Sequence, residues 1–199
     1  METCIVEGNI SVKAALLGKK RKVHKILVDA KKKDKDTAFI LHKAKEAQVD
    51  IAYVKREEID ALATGKTHGG IIAYCGQRKY QNLEELVNKK QVFLALIEGV
   101  EDPFNFGYVL RTLYAAGCDG VLVPLRNWTT AADVVTRASA GASEYMNIII
   151  ADDMEDTLTY LHQNDITLLC AQRKDAISLY SYTFPERICL CLLYTSDAA

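Results

Sequence analysis

The sequence has 199 residues, of which 49% are hydrophobic and 26% are charged, and this balance excludes a disordered chain and is typical of folded globular domains. Its longest apolar runs, Val92–Ile97 and Ile148–Ala151, have the length of a strand and are too short to cross a bilayer. The N-terminus lacks a basic start followed by an apolar stretch, so we predict no secretory signal, no membrane segment and a cytoplasmic location.

The net charge of −1 conceals an uneven distribution along the chain. Residues 1–90 contain 19 Lys and Arg against 12 Asp and Glu, a net charge of +7, whereas residues 91–199 contain 6 against 14, a net charge of −8. This asymmetry predicts that a polyanion is bound by the first half. The densest basic runs are Lys19–Lys22 and Lys31–Lys35, although such runs also occur as ordinary solvated loops.

The first 75 residues are predicted to form an α/β unit in which strands and helices alternate. Ser11 is a candidate N-cap for a short helix, Val12–Leu17, which Gly18 would end in the left-handed conformation. Apolar residues at helical spacing predict a second helix at Asp36–Ala47. The remaining predicted elements are strands at His24–Val28, Asp50–Val54 and Gly70–Tyr74 and a short helix at Arg56–Ala63.

A second α/β unit is predicted after a polar boundary at Gly76–Tyr80 and a short helix, Leu83–Val87. Its strands are unbroken apolar runs, which are typical of a parallel sheet covered on both faces. We therefore divide the chain into domains at residues 1–76 and 92–190, joined by a linker at 77–91. The predicted elements are Val92–Ile97, Asn105–Ala116, Gly120–Val123, Thr130–Ala138, Asn147–Ala151, Met154–Asn164 and Thr167–Ala171, taken alternately as strand and helix, with the last a strand.

The last nine residues, 191–199 (CLLYTSDAA), follow neither the charge pattern nor a helical period. They resemble the translated read-through of a sequencing adapter, so we expect them to be foreign. Authentic sequence would then end near Leu190, within a further buried strand that begins at Arg187. A genuine C-terminus of unusual composition is the alternative.

The six cysteines have scattered spacings and form no C-x-x-C pair. This pattern favours buried, reduced thiols over zinc ligands or disulfides. We therefore predict no metal site.

The segment Glu98–Gly117 carries the most specific candidate chemistry, because it follows a buried strand and opens a helix. Asp102–Pro103 predicts a stiff turn, and Asn105 is a good N-cap whose amide can also reach a ligand. Gly107 leaves room for a close backbone approach, and Arg111 offers a planar charged fork suited to phosphate. Ordinary capping beside a surface arginine is the alternative. A nucleotide-dependent oxidoreductase is disfavoured, because no G-x-G-x-x-G is present.

The pattern D-P-x-N-x-G-x-x-x-R-x-x-x-x-x-G in this segment resembles the first motif of the SpoU/TrmH family of RNA ribose methyltransferases. Ala138–Glu144 (ASAGASE) resembles the family's S-x-G-A segment. In the first domain, the opening E-G-x-x-x-V-x-x-x-L at Glu7–Leu16 and the H-x-G-I-x-A segment at His68–Ala73 resemble the family's substrate-binding domain. The likeness extends over roughly residues 5–190.

The resemblance implies a small α/β substrate-binding domain followed by a parallel-sheet methyltransferase domain of the SPOUT type, whose C-terminal part forms a trefoil knot. It also implies S-adenosylmethionine as methyl donor, RNA as substrate and a homodimer, and it favours ribosomal over transfer RNA. Asn105 and Arg111 would be active-site residues. Candidate RNA contacts are Lys19, Lys20, Arg21, Lys22 and His68, although a histidine in such a turn more often satisfies a loop carbonyl.

The sequence departs from the family pattern at the donor site. The second motif, a G-x-E loop after the strand that begins at Arg187, and the third, with a Ser-Leu-Asn run, are both absent. Those loops hold the donor and form the knot. We therefore expect a C-terminally truncated methyltransferase domain, an inactive chain and no assignable donor contacts. A non-catalytic RNA-binding module is the alternative function.

Overall fold

A computed structural model describes residues 4–124, 132–171 and 176–193 and divides into two compact units. The first unit consists of Met1–Lys79, Pro103–Arg111 and Trp128–Tyr145, and the second of Tyr80–Asp102, Thr112–Asn127 and Met146–Ala199. The first unit therefore combines the N-terminal residues with two segments from later in the chain. The predicted helix start at Thr130 lies outside the described residues.

The first unit contains a four-stranded mixed sheet in the order β1-β4-β2-β3. β4 is antiparallel to both of its neighbours, and β2 is parallel to β3. The predicted alternation of strands and helices is confirmed, and β1 is an additional short strand. The elements are β1 (Cys4–Glu7), α1 (Gly8–Gly18), β2 (Val23–Asp29), α2 (Lys35–Glu46), β3 (Asp50–Val54), α3 (Arg56–Leu62) and β4 (Ile71–Cys75).

Helix α1 differs from its prediction at both ends. It begins at Gly8, so Ser11 is buried inside the helix and does not cap it. Its last residue is Gly18, and the left-handed residue is the C-cap Lys19, with a φ of 56°, one residue beyond the expected Gly18. A Cβ on Gly18 would lie 1.9 Å from the backbone oxygen of Glu144. Gly18 is thus required for close packing and not for a positive φ.

The second unit contains a five-stranded sheet in the order β7-β6-β5-β9-β8, in which every pair is parallel. The prediction of a parallel α/β sheet is confirmed. Its core is formed by apolar residues of the strands and of α4 and α7. The elements are α4 (Leu83–Val87), β5 (Val92–Glu98), β6 (Gly120–Val123), β7 (Ile148–Ile150), α7 (Met154–Gln163), β8 (Thr167–Cys170) and β9 (Arg187–Leu193).

Two further helices connect strands of this sheet along the chain. They are α5 (Pro103–Ala115) and α6 (Ala132–Ala138), the latter followed by a 3-10 turn at Ala142–Glu144. The first nine residues of α5, and all of α6 and the turn, belong to the first unit. Within the described part of the chain, no helix is long and apolar enough to cross a bilayer.

Strand β9 lies between β5 and β8 and extends through residues 191–193. These three residues are the described part of the segment that we expect to be foreign, and residues 194–199 lie outside the described residues.

The cysteines are unpaired, and four of the six are buried, as predicted. Burial raises the pKa of Cys75 to about 12 and that of Cys118 to about 11, so both stay protonated at neutral pH. Cys170 differs from the prediction, because it is exposed. In the described ranges, no cluster of His, Cys, Asp and Glu could hold a metal ion.

Gly18, the last residue of α1, and Lys19, its C-cap, should respond in opposite ways to substitution. Gly18→Ala should lower the free energy of unfolding by about 1–3 kcal/mol, because the new methyl group meets backbone that cannot move aside. Lys19→Gly should be close to neutral or stabilising, since it relieves left-handed strain of roughly 1–2 kcal/mol, which offsets the greater entropy of the unfolded chain. Urea denaturation of both variants measures the difference, and a neutral Gly18→Ala beside a destabilising Lys19→Gly would contradict it.

Candidate functional site

Asn105 and Arg111 are both exposed residues of α5. Four residues separate the end of β5 from the first helical residue, Pro103. Proline suits this first position because its missing N–H would have no partner within the helix. The helix thus begins two residues earlier than predicted, and Asn105 lies in its first turn and not at the N-cap.

The exposed side of α5 carries aromatic residues beside Arg111. Phe104, Tyr108 and Arg111 have the spacing i, i+4, i+7 and share one face of the helix. Phe104 is 48% exposed and Tyr108 is 55% exposed. Asn105 lies about 9 Å from Arg111 along the axis and about 120° around it. The structure therefore presents both motif residues on the outer side of one helix.

Gly107 fixes the position of α5 against α6. A Cβ at this residue would lie 2.6 Å from the Cβ of Ala138, 3.0 Å from the amide nitrogen of Ser139 and 3.1 Å from the carbonyl oxygen of Val135. Only glycine permits this approach. The close backbone approach that we predicted at Gly107 is made by α6 and the residue that follows it. Gly107 therefore contributes to the site by packing.

Arg21 and Glu144 form a buried ion pair in the first unit. The Nε of Arg21 lies 2.8 Å from Oε2 of Glu144, and its Nη2 lies 3.0 Å from Oε1. The two side chains are 5% and 0% exposed. The hydroxyl of Thr136 donates a further hydrogen bond to Oε1, at 3.2 Å. Two parallel charge-assisted bonds give this pair a defined geometry.

The protonation of Arg21 follows from its partner. Burial alone would lower the pKa of Arg21, but the hydrogen bond and the negative charge of Glu144 outweigh it and raise this pKa above its ordinary value. The guanidinium is therefore charged and fully engaged inside the protein. The structure does not favour the predicted contact of Arg21 with RNA, since its side chain is buried on Glu144 and not presented to solvent.

A second polar connection links the end of β1 to α6. Glu7 is 5% exposed and accepts hydrogen bonds from the backbone nitrogen and hydroxyl of Thr64, at 2.6 and 2.9 Å. Arg137 of α6 lies 3.4 Å from the same carboxylate. The Thr64 hydroxyl also lies 2.8 Å from the carboxylate of Asp133. Glu7 thus holds the loop before β4 and α6 together.

His68 is buried in the turn before β4, with 3% of its surface exposed. Its Nε2 lies 2.9 Å from a carboxylate oxygen of Asp60, and its Nδ1 accepts a hydrogen bond from the backbone nitrogen of Gly70 at 3.3 Å. A neutral ring with its proton on Nε2 satisfies both contacts. His68 therefore shapes the turn, and its partners are the carboxylate of Asp60 and the backbone nitrogen of Gly70 in place of the expected loop carbonyl.

The exposed lysines of the basic run Lys19–Lys22, which we call the basic turn, lie beside Lys79, a residue that we did not expect there. Lys19 and Lys22 are exposed, and Lys20 is half-buried. The backbone nitrogens of Gly76 and Lys79 donate to the carbonyl oxygens of Lys22 and Lys20, at 2.8 and 2.7 Å. This pairing brings Lys79, also exposed, next to the basic turn. The sequence of Gly76–Tyr80 predicted only a polar boundary between domains. The backbone pairing with Lys20 and Lys22 was not predicted, because these residues are distant in sequence.

Two family models match the chain. Residues 91–192 match the SpoU rRNA Methylase family, and residues 5–81 match a family described as RNA 2'-O ribose methyltransferase substrate binding. A putative TrmH family tRNA/rRNA methyltransferase of Staphylococcus aureus strain COL is 28% identical over 169 residues, covering 82% of this chain and 67% of the relative. Its counterpart in Staphylococcus epidermidis is 28% identical over 181 residues, covering 88% and 72%.

Solved structures share the fold at low sequence identity. An RNA 2'-O ribose methyltransferase has a TM-score of 0.73 and 21% identity, covering 96% of this chain and 71% of that one. The SpoU methyltransferase AviRb from Streptomyces viridochromogenes, in complex with AdoMet, has a TM-score of 0.74 and 12% identity, covering 98% and 74%. An rRNA methyltransferase from Sinorhizobium meliloti has a TM-score of 0.73 and 18% identity, covering 98% and 72%.

The buried pair predicts a strong asymmetry between single and double substitutions. Glu144→Ala should lower the free energy of unfolding by about 3–5 kcal/mol, because it leaves the Arg21 guanidinium buried without its partner. Arg21→Met combined with Glu144→Leu should lose less than the sum of the two single variants, since the buried Arg21 charge is removed together with its partner. Arg78, which lies 3.6 Å from the same carboxylate, keeps the double variant below the stability of the unsubstituted protein. Chemical denaturation of Arg21→Met, Glu144→Leu and the double variant completes a double-mutant cycle. Additive effects would contradict the coupling that we describe.

Proposed function

Because this chain belongs to the SpoU rRNA methylase family, we propose that it serves the transfer of a methyl group to the 2′-hydroxyl of a ribose in RNA, with ribosomal RNA as the substrate. The two family matches, which lie at residues 5–81 and 91–192, support the proposal. The observation that carries it is the exposure of Asn105 and Arg111 on one helix within the motif that the family uses. On this proposal residues 1–76 bind RNA and residues 92–190 form the methyltransferase domain.

S-adenosylmethionine is the methyl donor of this family, and it supplies an electrophilic methyl group on a sulfonium centre. The donor contacts that the resemblance implies are a G-x-E loop after β9 and a Ser-Leu-Asn run. We assign none of the described residues to the donor. We therefore derive only what this chain's residues do toward RNA.

Arg111 is proposed to act on the charge of the reacting nucleotide. The ribose oxygen forms a bond to the methyl carbon and releases its proton to solvent water, so negative charge develops on this oxygen beside the flanking phosphate. A guanidinium has a pKa above about 12 and cannot accept that proton at neutral pH. It can stabilise the developing charge and hold the phosphate through two parallel hydrogen bonds. The exposed position of Arg111 leaves it accessible to RNA.

Asn105 is proposed to orient the ribose. Its amide can donate and accept hydrogen bonds at once, as recognition of a hydroxyl requires. The side chain is exposed in the first turn of α5. Because Gly107 places α5 directly on α6, the ribose would meet a helix whose position is fixed by backbone contact. Such positioning can account for several kcal/mol of a reaction barrier.

The grip on RNA is proposed to come from the basic half of the chain. Residues 1–90 carry a net charge of +7, which favours the phosphate backbone without regard to sequence. Of the candidate contacts, Lys19, Lys20 and Lys22 remain proposed. Arg21 and His68 are buried on partners inside the first unit, and we no longer assign them to RNA.

A homodimer is proposed for the protein, as the family resemblance implies. The exposed aromatic side chains of Phe104 and Tyr108 support it, because aromatic residues are enriched in protein interfaces. Sedimentation velocity at micromolar concentration should therefore show a dimer that Phe104→Ser with Tyr108→Ser weakens. A monomer for the unsubstituted protein would contradict the proposal.

Arg111→Ala should lower turnover about 10²–10³-fold while changing RNA affinity little, because its charge acts on the transition state and the lysines supply the grip. Arg111→Lys should rescue poorly, since a point charge cannot replace the planar fork. The assay is single-turnover transfer of a labelled methyl group to RNA, in a form that carries the family's second and third motifs after β9.

RNA affinity measured on the same proteins is the control for this experiment. A near-normal rate for Arg111→Ala at saturating RNA would show that Arg111 only binds. RNA binding without any methyl transfer, in a form with the donor motifs complete, would favour the alternative of a non-catalytic RNA-binding module. Methylation of a base in place of the ribose, detected by nucleoside mass spectrometry, would contradict the proposed 2′-hydroxyl specificity.

A further inference from the structure

A groove with a cavity volume of about 500 Å³ lies at the C-terminal end of α1, within the first unit. This volume falls in the range of about 300–1,000 Å³ that is common for ligand sites. Its rim carries three exposed lysines from two distant segments, Lys19 and Lys22 on one side and Lys79 on the other. The rest of its lining combines polar residues such as His24 and Gln48 with the apolar residues Leu16, Val23 and Val49, which we call the floor.

The charges on this rim are available to a ligand. Among the described residues, no ion pair involves Lys19, Lys22 or Lys79, in contrast to the buried Arg21 between them. Asp50 is the only acidic residue that lines the described groove, so its rim is positive overall. By comparison, Lys32 in the second basic run is held by Asp34 at 2.8 Å.

Contacts in the protein interior fix the backbone that carries the three rim lysines. Arg21 is fixed on Glu144, and the backbone of Gly76 and Lys79 pairs with that of Lys22 and Lys20. The three lysines therefore project from a braced backbone. A preorganised set of charges loses less entropy on binding than the same charges on a mobile loop.

We propose that this groove, defined by Lys19, Lys22 and Lys79 over the floor of Leu16, Val23 and Val49, binds unpaired nucleotides of an RNA loop. Unpaired RNA alternates charged phosphates with flat apolar base and ribose faces, and the groove alternates a basic rim with an apolar floor. The inference rests on the proposed function, which makes RNA the substrate, and adds where on the first unit that RNA lies. Lys79 becomes an RNA contact that local sequence did not indicate.

The test compares two triple variants with the same loss of charge. One carries Lys19→Gln, Lys22→Gln and Lys79→Gln. The matched control carries Lys31→Gln, Lys33→Gln and Lys35→Gln, which are exposed residues outside the groove. Fluorescence anisotropy with a labelled RNA hairpin measures the affinity of the full chain at several salt concentrations. Thermal unfolding of both variants verifies that these exposed substitutions preserve the fold.

The groove variant should bind the hairpin about tenfold more weakly or worse at low salt. The plot of log affinity against log salt should become less steep, and the magnitude of its slope should fall by about 2. Each of the three phosphates that is no longer neutralised contributes roughly 0.7. The control should change affinity by less than about threefold, as expected for general charge alone. Equal losses in the two variants, or a larger loss in the control, would overturn the groove. No hairpin binding by the unsubstituted chain would instead overturn the proposed RNA function itself, and the groove with it.

Lysine footprinting of the unsubstituted chain gives a second measurement that needs no variant. Acetylation of exposed amines, followed by mass spectrometry, should show Lys19, Lys22 and Lys79 protected by the hairpin and Lys31, Lys33 and Lys35 unprotected. An RNA duplex in which the same loop nucleotides are base-paired should protect the groove lysines less, because its bases are no longer free to reach the floor. Protection confined to Lys31–Lys35 would overturn the proposal.

Discussion

The ion pair between Arg21 and Glu144 is the interaction on which the arrangement of the first unit depends. It joins residues 123 positions apart in sequence and is almost completely shielded from solvent. Such a pair contributes little net stability compared with apolar packing, yet losing either partner is costly. Its main effect is therefore geometric, because it tolerates only one placement of the basic turn against the segment that ends at Glu144.

That segment, residues 132–144, also determines where α5 lies. Gly107 places α5 on the backbone of α6, and Arg137 of α6 reaches the carboxylate of Glu7. The proposed reacting side chains and the proposed RNA surface are thus positioned by one short stretch of chain. This dependence links two residues far apart in sequence, because Gly107 packs on this stretch and Glu144, at its end, holds Arg21.

The strands and the parallel sheet followed from the sequence because apolar runs and helical spacing are local signals. Burial of a charged residue is not local. The local sequence does not distinguish the buried Arg21 from the neighbouring Lys20 and Lys22. Its burial depends on Glu144, which lies 123 positions away. The structural role of His68 was missed for the same reason, because it depends on contact with Asp60, which lies eight positions earlier. Lys79 was missed because backbone pairing with Lys20 brings it to the basic turn.

The position of β9 has a consequence for how the protein acquires its structure. The sheet of the first unit uses strands that all lie within residues 4–75, so its pairings can form early during synthesis. In the other sheet, β9 separates β5 from β8, although β5 precedes it by about ninety residues. Pairings of such sequence separation form slowly. Until β9 has emerged from the ribosome, β5 exposes an unpaired apolar edge, which makes this stretch a natural client for chaperones.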